Sequence, residues 1–221
     1  MAKARGQRTE PPQAIELPAL APFAGTELEA DGDYEAVGFV DRDFAGQAAA
    51  DAAFLGCRIE RCRLDGLSMP RVRIAECLLA EVHAVSLDVS DSTWRDSLVT
   101  DGRLGVMTAT GATWRGVRLR GGKLNFVDLR AARLTDVVFE ACVIGELDLA
   151  DAELRSVRFV ASTVDEMNVA GAKLSAVDLS GATLGVLRGI GSLRGAIVSE
   201  AQLLDLAPLL AEHVGLEVRG E

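Results

Sequence analysis

The chain has 221 residues, 49% of them hydrophobic, a formal net charge of −10, four cysteines and two histidines. No run of 18 apolar residues is present to cross a bilayer and no secretory hydrophobic region is seen, so the expectation is a cytoplasmic protein whose cysteines stay reduced. Two histidines and scattered cysteines do not supply four converging ligands for zinc.

Residues 1–13 are polar, basic and proline-containing and read as a disordered tail. Residues 14–36 carry apolar side chains interrupted by Pro18 and Pro22, and read as an N-terminal cap on the body of the chain.

From Phe39 to Leu184 every fifth residue falls in one register of mostly large apolar side chains, with no insertion. Helices repeat near 3.6 residues and strands near 2, so a period of five belongs to neither. Two positions before each central residue runs a smaller series, and sorting it by 20 residues gives columns of like residues. One reads Ala52, Val72, Ser92, Ala112, Ala132, Ala152 and Ala172; another reads Cys57, Cys77, Ser97, Val117, Val137, Val157 and Val177. Four pentapeptides therefore close one coil, and large stands beside small, as a lumen of fixed cross-section packed near crystal density requires. The expected body is a square all-β solenoid over residues 37–192. It has about seven to eight coils and is about 36 Å long at about 4.8 Å per coil.

Trp94 and Trp114 lie one coil apart and are expected to stack as lumen filling, with Ser92 and Ala112 making room. Ala84, Gly102, Ala109 and Gly122 are expected to leave that region short of volume, with water in the least packed coils. Cys57, Cys62, Cys77 and Cys142 all fall in the inward series and read as small core residues. Gly46, Gly66, Gly105, Gly145 and Gly185 read as one edge that needs positive φ or close backbone approach.

Beyond Gly189 and Gly191 the register slips by one, so that Leu193 and Val198 continue it, and then the pattern becomes helical. Ser199 and Gln202 form a capping box. Pro208 is expected to divide two short helices, Gly215 to end the second, and Leu216–Val218 to form a short strand. Residues 193–221 thus make a C-terminal helical cap. They hold more leucine than one lumen needs, so Leu203, Leu206, Leu209, Leu210 and Val214 are the candidate dimer interface.

The stretches Ala172-Lys173-Leu174, Val177-Asp178-Leu179-Ser180-Gly181, Ala182-Thr183-Leu184 and Leu147-Asp148-Leu149-Ala150-Asp151 follow the pattern A(D/N)LXX closely, each departing from it at one of the first two positions. On these residues the chain resembles the pentapeptide-repeat proteins over about two thirds of its length. Departures are Arg42 and Gln47 at inward positions, the two tryptophans, and alanine at 84 and 109. The resemblance implies a right-handed quadrilateral β-helix, a homodimer through the C-terminus, and Asp or Asn before central residues to hydrogen-bond the turns. It also implies a non-catalytic role. The best-known one is an acidic rod that mimics duplex DNA, binds DNA gyrase or topoisomerase IV, and modulates or protects that enzyme against inhibitors, as in quinolone resistance. The alternative is a scaffold for an unrelated protein partner, since one fold serves many tasks.

No glycine-rich phosphate loop, nucleophile elbow or HExxH occurs, so no catalytic residue, cofactor site or metal site is expected. Residues 1–36, 37–192 and 193–221 carry net charges of −4, −3 and −3, so most of the negative excess lies off the rod. Within the rod, one side gathers Asp51, Asp88, Asp91, Asp128, Asp148 and Asp151, the candidate acidic mimic surface. A duplex of about 36 Å shows about 20 phosphates, so this mimic is dilute. The side of the tryptophans carries a small basic surplus without an exposed aromatic series, which argues against direct nucleic-acid binding.

Overall fold

The computed structural model describes residues 15–217. The chain winds as a parallel β-solenoid of about 9 turns closed by a single C-terminal helix. Each turn has four sides. Side 1 is centred on Tyr34, Phe54, Ile74, Trp94, Trp114, Leu134, Leu154 and Leu174, which form one eight-stranded parallel sheet. Side 2 runs through Phe39, Ile59, Leu79, Val99, Leu119, Phe139 and Phe159. Side 3 runs through Leu104, Leu124 and Ile144, and side 4 through Met69, Val89, Leu129 and Leu149. Partners lie 20 residues apart through the body except at a bulge where Val160 pairs with Gly181, so the period read from the sequence is the ladder register itself.

The five-residue rhythm has a backbone cause. At most corners the residue two past each central one holds a left-handed conformation, among them Asp41, Asp51, Glu76, Asp91, Asp96, Asp101 and Asp151. Asp tolerates that region better than most residues because its short side chain bonds locally. The edge between sides 3 and 4 differs. Gly46 and Gly66 supply the left-handed corner in the first two coils, with φ of 71° and 70°. The later coils run straight through as six-residue strands, His83–Asp88, Arg103–Thr108, Lys123–Asp128 and Val143–Asp148. Gly105, Gly145 and Gly185 sit one place earlier than Gly46 and Gly66, so the expected single glycine edge is two columns. Their φ is not positive; a Cβ there would collide with the carbonyl oxygens of Val85, Asn125 and Asp165.

The lumen is a continuous apolar core. Phe139 and Phe159 stack at 4.7 Å and 5°. Trp94 and Trp114 do not stack in parallel: their centroids are 5.6 Å apart and the rings tilt by 43°. The Trp94 indole Nε1 donates to Ser92 Oγ at 3.0 Å, whereas the Trp114 Nε1 is buried without a partner because Ala112 stands where a serine would. A void of about 10 Å³ lies beside the tryptophans, and one of about 20 Å³ lies nearer the N-terminus, among Phe44, Phe54, Ile74 and Trp94. Both are walled by apolar side chains, which give a water no set of polar partners. The expectation of water there is corrected to dry gaps, the larger of them closer to the first coils.

The inward cysteines and serines bridge coils as well as fill space. Cys57 Sγ donates to Tyr34 O at 3.2 Å, and Ser162 Oγ to Phe139 O at 3.1 Å. Ser97 Oγ and Ser162 Oγ in turn accept from the amides of Cys77 and Cys142, both at 3.1 Å. Burial raises the Cys62 thiol and pushes Cys142 up to about 11; Cys77 is raised by its hydrogen-bonded neighbour Cys57 and by burial. These three thiols are held in the unreactive protonated form, whereas the hydrogen bond with Cys77 lowers Cys57 to about 7.

Tyr34 extends the central series one pentapeptide earlier than Phe39, one coil below Phe54, on which it stacks at 5.0 Å. Ala21–Pro22 pairs with Val37–Gly38. Phe23 and Leu28 are buried over the open lumen, Phe23 lying 4.7 Å from Phe39. The two inward departures at the first coil explain themselves here. Arg42 Nη2 donates to Phe23 O at 2.6 Å, and the Leu28 amide donates to Gln47 Oε1 at 2.9 Å. Polar side chains in this coil tie the leading segment down instead of filling the lumen.

At the other end the ladder step falls from 20 to 19, Val177 pairing with Ala196 and Asp178 with Ile197, as the slipped register requires. Glu200–His213 then forms one helix with the Ser199–Gln202 capping box. Pro208 lies inside it and does not divide it. Pro208 and Leu204 are both exposed, so the carbonyl four residues back that loses its amide partner faces water. Leu216 and Glu217 carry no strand, and Val218 and the 1–13 tail lie outside the described residues.

Candidate functional site

Side 4 holds the six aspartates expected to form an acidic surface, and local geometry divides them. Asp88, Asp128 and Asp148 each precede a central residue and accept, through Oδ1, the amide of the residue two ahead, at 3.0, 3.1 and 3.0 Å. Asn168 and Asp178 repeat the motif. These carboxylates fasten turns before they meet anything else. Asp51, Asp91 and Asp151 occupy left-handed corners, with φ of 63°, 53° and 59°.

The charges are also unequal. Asp51 is held by Arg71, one coil on, with Nε to Oδ1 at 2.7 Å, and that hydrogen bond lowers its pKa. Asp128 is 4% exposed and clasped by Arg130 at 2.9 and 2.6 Å. Burial alone would raise its pKa, but hydrogen bonds from the Arg130 side chain and amide and from Thr110, with the Arg130 charge, outweigh it and leave it lowered. Asp88 accepts from Ser68 Oγ at 3.1 Å, and Asp148 from Asn168 Nδ2 at 3.0 Å, Arg130 Nε lying 3.8 Å from Asp148. Asp91 and Asp151 remain exposed. Side 4 is therefore one surface on which Asp51 and Asp128 are clasped by arginine, Asp148 shares Arg130 at 3.8 Å, and Asp88, Asp91 and Asp151 have no arginine partner among the described residues.

Every central residue of that surface is inward, every corner falls on the five-residue beat, and every stacked partner on side 4 lies 20 residues away. The chain has the fold of a pentapeptide-repeat β-helix. Among solved structures it is similar to the pentapeptide-repeat protein HetL, involved in heterocyst differentiation regulation, from the cyanobacterium Nostoc sp. strain PCC 7120. That match has 16% identity, covers 80% of this chain and 93% of that one, and has a TM-score of 0.33. It is also similar to full-length QnrB1, a plasmid-mediated fluoroquinolone resistance protein, with 15% identity, 88% and 97% coverage and a TM-score of 0.31. No protein-family model and no curated protein matches the chain.

The terminal helix splits the expected dimer residues. Leu206 is buried and Leu210 half-buried against the last coil, so these two belong to the cap. Leu203, Leu209 and Val214 stay exposed, and Leu204 and Leu216, outside the expected interface, are exposed beside them. Gln202 Nε2 latches the helix down, donating to Leu179 O at 2.8 Å and Ala182 O at 2.9 Å. Among the described residues no three His, Cys, Asp or Glu side chains are grouped to hold a metal, and no helix is long and apolar enough to cross a membrane.

Side 3 holds a feature that sequence reasoning missed, a column of Arg63, His83, Arg103 and Lys123 at one position in successive coils. Sorting the residue before each central position by 20 would have found it, as it found the aspartates.

Proposed function

We propose that this pentapeptide-repeat protein is a non-catalytic binding rod, acting in the cytoplasm, whose side 4 contacts the DNA-binding surface of a type II topoisomerase, gyrase or topoisomerase IV, and modulates or protects that enzyme. The observation that carries the reading is the placing of Asp88, Asp91, Asp148 and Asp151 on one straight side, the first, second and fourth without an arginine partner among the described residues and Asp148 only 3.8 Å from an Arg130 that clasps Asp128. Three unpaired carboxylates and a fourth that shares Arg130 are few beside the roughly one charge per 1.7 Å of duplex DNA, so the fit rests on a rigid shape with a charged patch. The test is a fourfold Asp-to-Asn variant at 88, 91, 148 and 151. Asn keeps the turn acceptor and tolerates the left-handed corner while removing charge. Loss of gyrase binding with unchanged melting supports the reading, and unchanged binding counts against it.

A second reading is a scaffold working through the C-terminus, favoured by the exposure of Leu203, Leu204, Leu209, Val214 and Leu216 around the terminal helix. The same apolar surface supports a homodimer, with Leu203, Leu209 and Val214 at the interface and Leu206 and Leu210 beneath them. Deleting residues 199–221 separates the two readings. A scaffold loses its partner with every coil aspartate present, whereas a side 4 contact survives.

A further inference from the structure

The basic column on side 3 changes character along the rod. Arg63 is neutralised by Asp43 at 3.2 Å and Asp65 at 2.7 Å, and His83 Nδ1 lies 3.3 Å from Asp65. Arg103 and Lys123, on the next two coils, are exposed and form no ion pair or side-chain hydrogen bond among the described residues. Two unpaired cations about 4.8 Å apart along the rod repel each other and favour an anion that spans them.

A groove of about 650 Å³ opens at these two residues, also lined by His83, Val85, Asp101 and Asn125. That volume falls in the roughly 300–1,000 Å³ range of small-molecule clefts. Two of its lining residues, Gly105 and Gly122, are glycines. In the inward column Cys62, Val82, Gly102, Cys142 and Ser162 are buried, yet Gly122 is half-buried, with φ of 83°. A Cβ on Gly122 would press on the backbone of Gly102, its nitrogen only 2.9 Å away, and Gly105 likewise bears no side chain. Bare backbone therefore lines the groove where the cations are free.

We propose that this groove binds a small molecule through a diphosphate or longer phosphate group held between Arg103 and Lys123. The guanidinium fork of Arg103 and the ammonium of Lys123 suit adjoining phosphate oxygens, and the glycine floor lets a bulky anion approach the backbone. Asp101 on the rim repels the phosphates and accepts from hydroxyl or amine donors on the rest of the ligand. Val85, 64% exposed, gives that remainder an apolar wall. The site is on a different side from the aspartates and does not depend on the topoisomerase reading.

The test is calorimetric titration of the full chain with inorganic pyrophosphate and, separately, with ADP. Saturable binding is expected, weakened at least about tenfold in the R103Q/K123Q variant and unchanged in R115Q/R155Q on side 1. D101N should bind pyrophosphate more tightly, a gain that loss of folding cannot imitate. Absence of saturable binding by both probes at millimolar concentration overturns the proposal. So does equal affinity in R103Q/K123Q, or an equal loss in R115Q/R155Q.

Discussion

Ala112→Ser should stabilise the protein. Ser92 and Ala112 occupy the same inward place one coil apart, each two residues before a buried tryptophan. The Trp94 Nε1 has the Ser92 hydroxyl at 3.0 Å, and the Trp114 Nε1 has nothing. A buried orphaned donor costs about 1–3 kcal/mol and a satisfied hydrogen bond contributes about 0.5–1.5 kcal/mol net. Supplying the partner by one added oxygen should recover about 1 kcal/mol, or a rise of about 2–4 °C in a chain of this length. The converse change, Ser92→Ala, should cost about 1–3 kcal/mol by orphaning Trp94. Both are read by thermal and urea unfolding monitored by circular dichroism. In a Trp114→Phe background, which has no indole donor, the gain from Ala112→Ser should vanish. A loss of stability from Ala112→Ser, or the same gain with and without Trp114, would refute the reasoning and point to overpacking of the lumen.

Other contacts make their own demands. Gln202→Ala removes half the capping box and both bonds to the Leu179 and Ala182 carbonyls, so the terminal helix should exchange its amides much faster while the central coils keep their protection. Phe159→Ala removes one ring of the parallel pair and should cost about 3–5 kcal/mol, measured by urea unfolding. Asp128 has a lowered folded pKa, so its contribution is present above the ordinary carboxylate pKa and is lost as pH falls through the folded value. Acid titration of stability should therefore be shallower below about pH 4 in Asp128→Asn than in the parent chain. The homodimer proposed through the terminal helix predicts a larger sedimentation coefficient for the parent chain than for Leu203→Ser with Leu209→Ser, and equal coefficients count against it.

The legible parts of the sequence are those where the same force acts again in every coil. A register with no insertion from Phe39 to Leu184 left the lumen no alternative packing, so the central residues, the inward series and the 20-residue step could all be read. The ends were less legible because each is built once. Tyr34 belongs to the series, but Glu29 breaks the pattern five residues earlier, and Arg42 and Gln47 look like faults until Phe23 and Leu28 are seen above them. Pro208 reads as a breaker, and only its place on the solvent side of the helix makes it tolerable. Of the six aspartates on side 4, the sequence placed all on one side but could not show that Arg71 and Arg130 take two of them. Column sorting finds like charges, whereas a salt bridge between coils depends on rotamers.

The measurement that tests the account most directly is binding of the purified chain to gyrase from its own organism, by interferometry, with linear duplex DNA as competitor at two salt concentrations. A side 4 contact requires binding that DNA displaces and that weakens as salt rises. Absence of binding at micromolar protein, or binding indifferent to both DNA and salt, would contradict it.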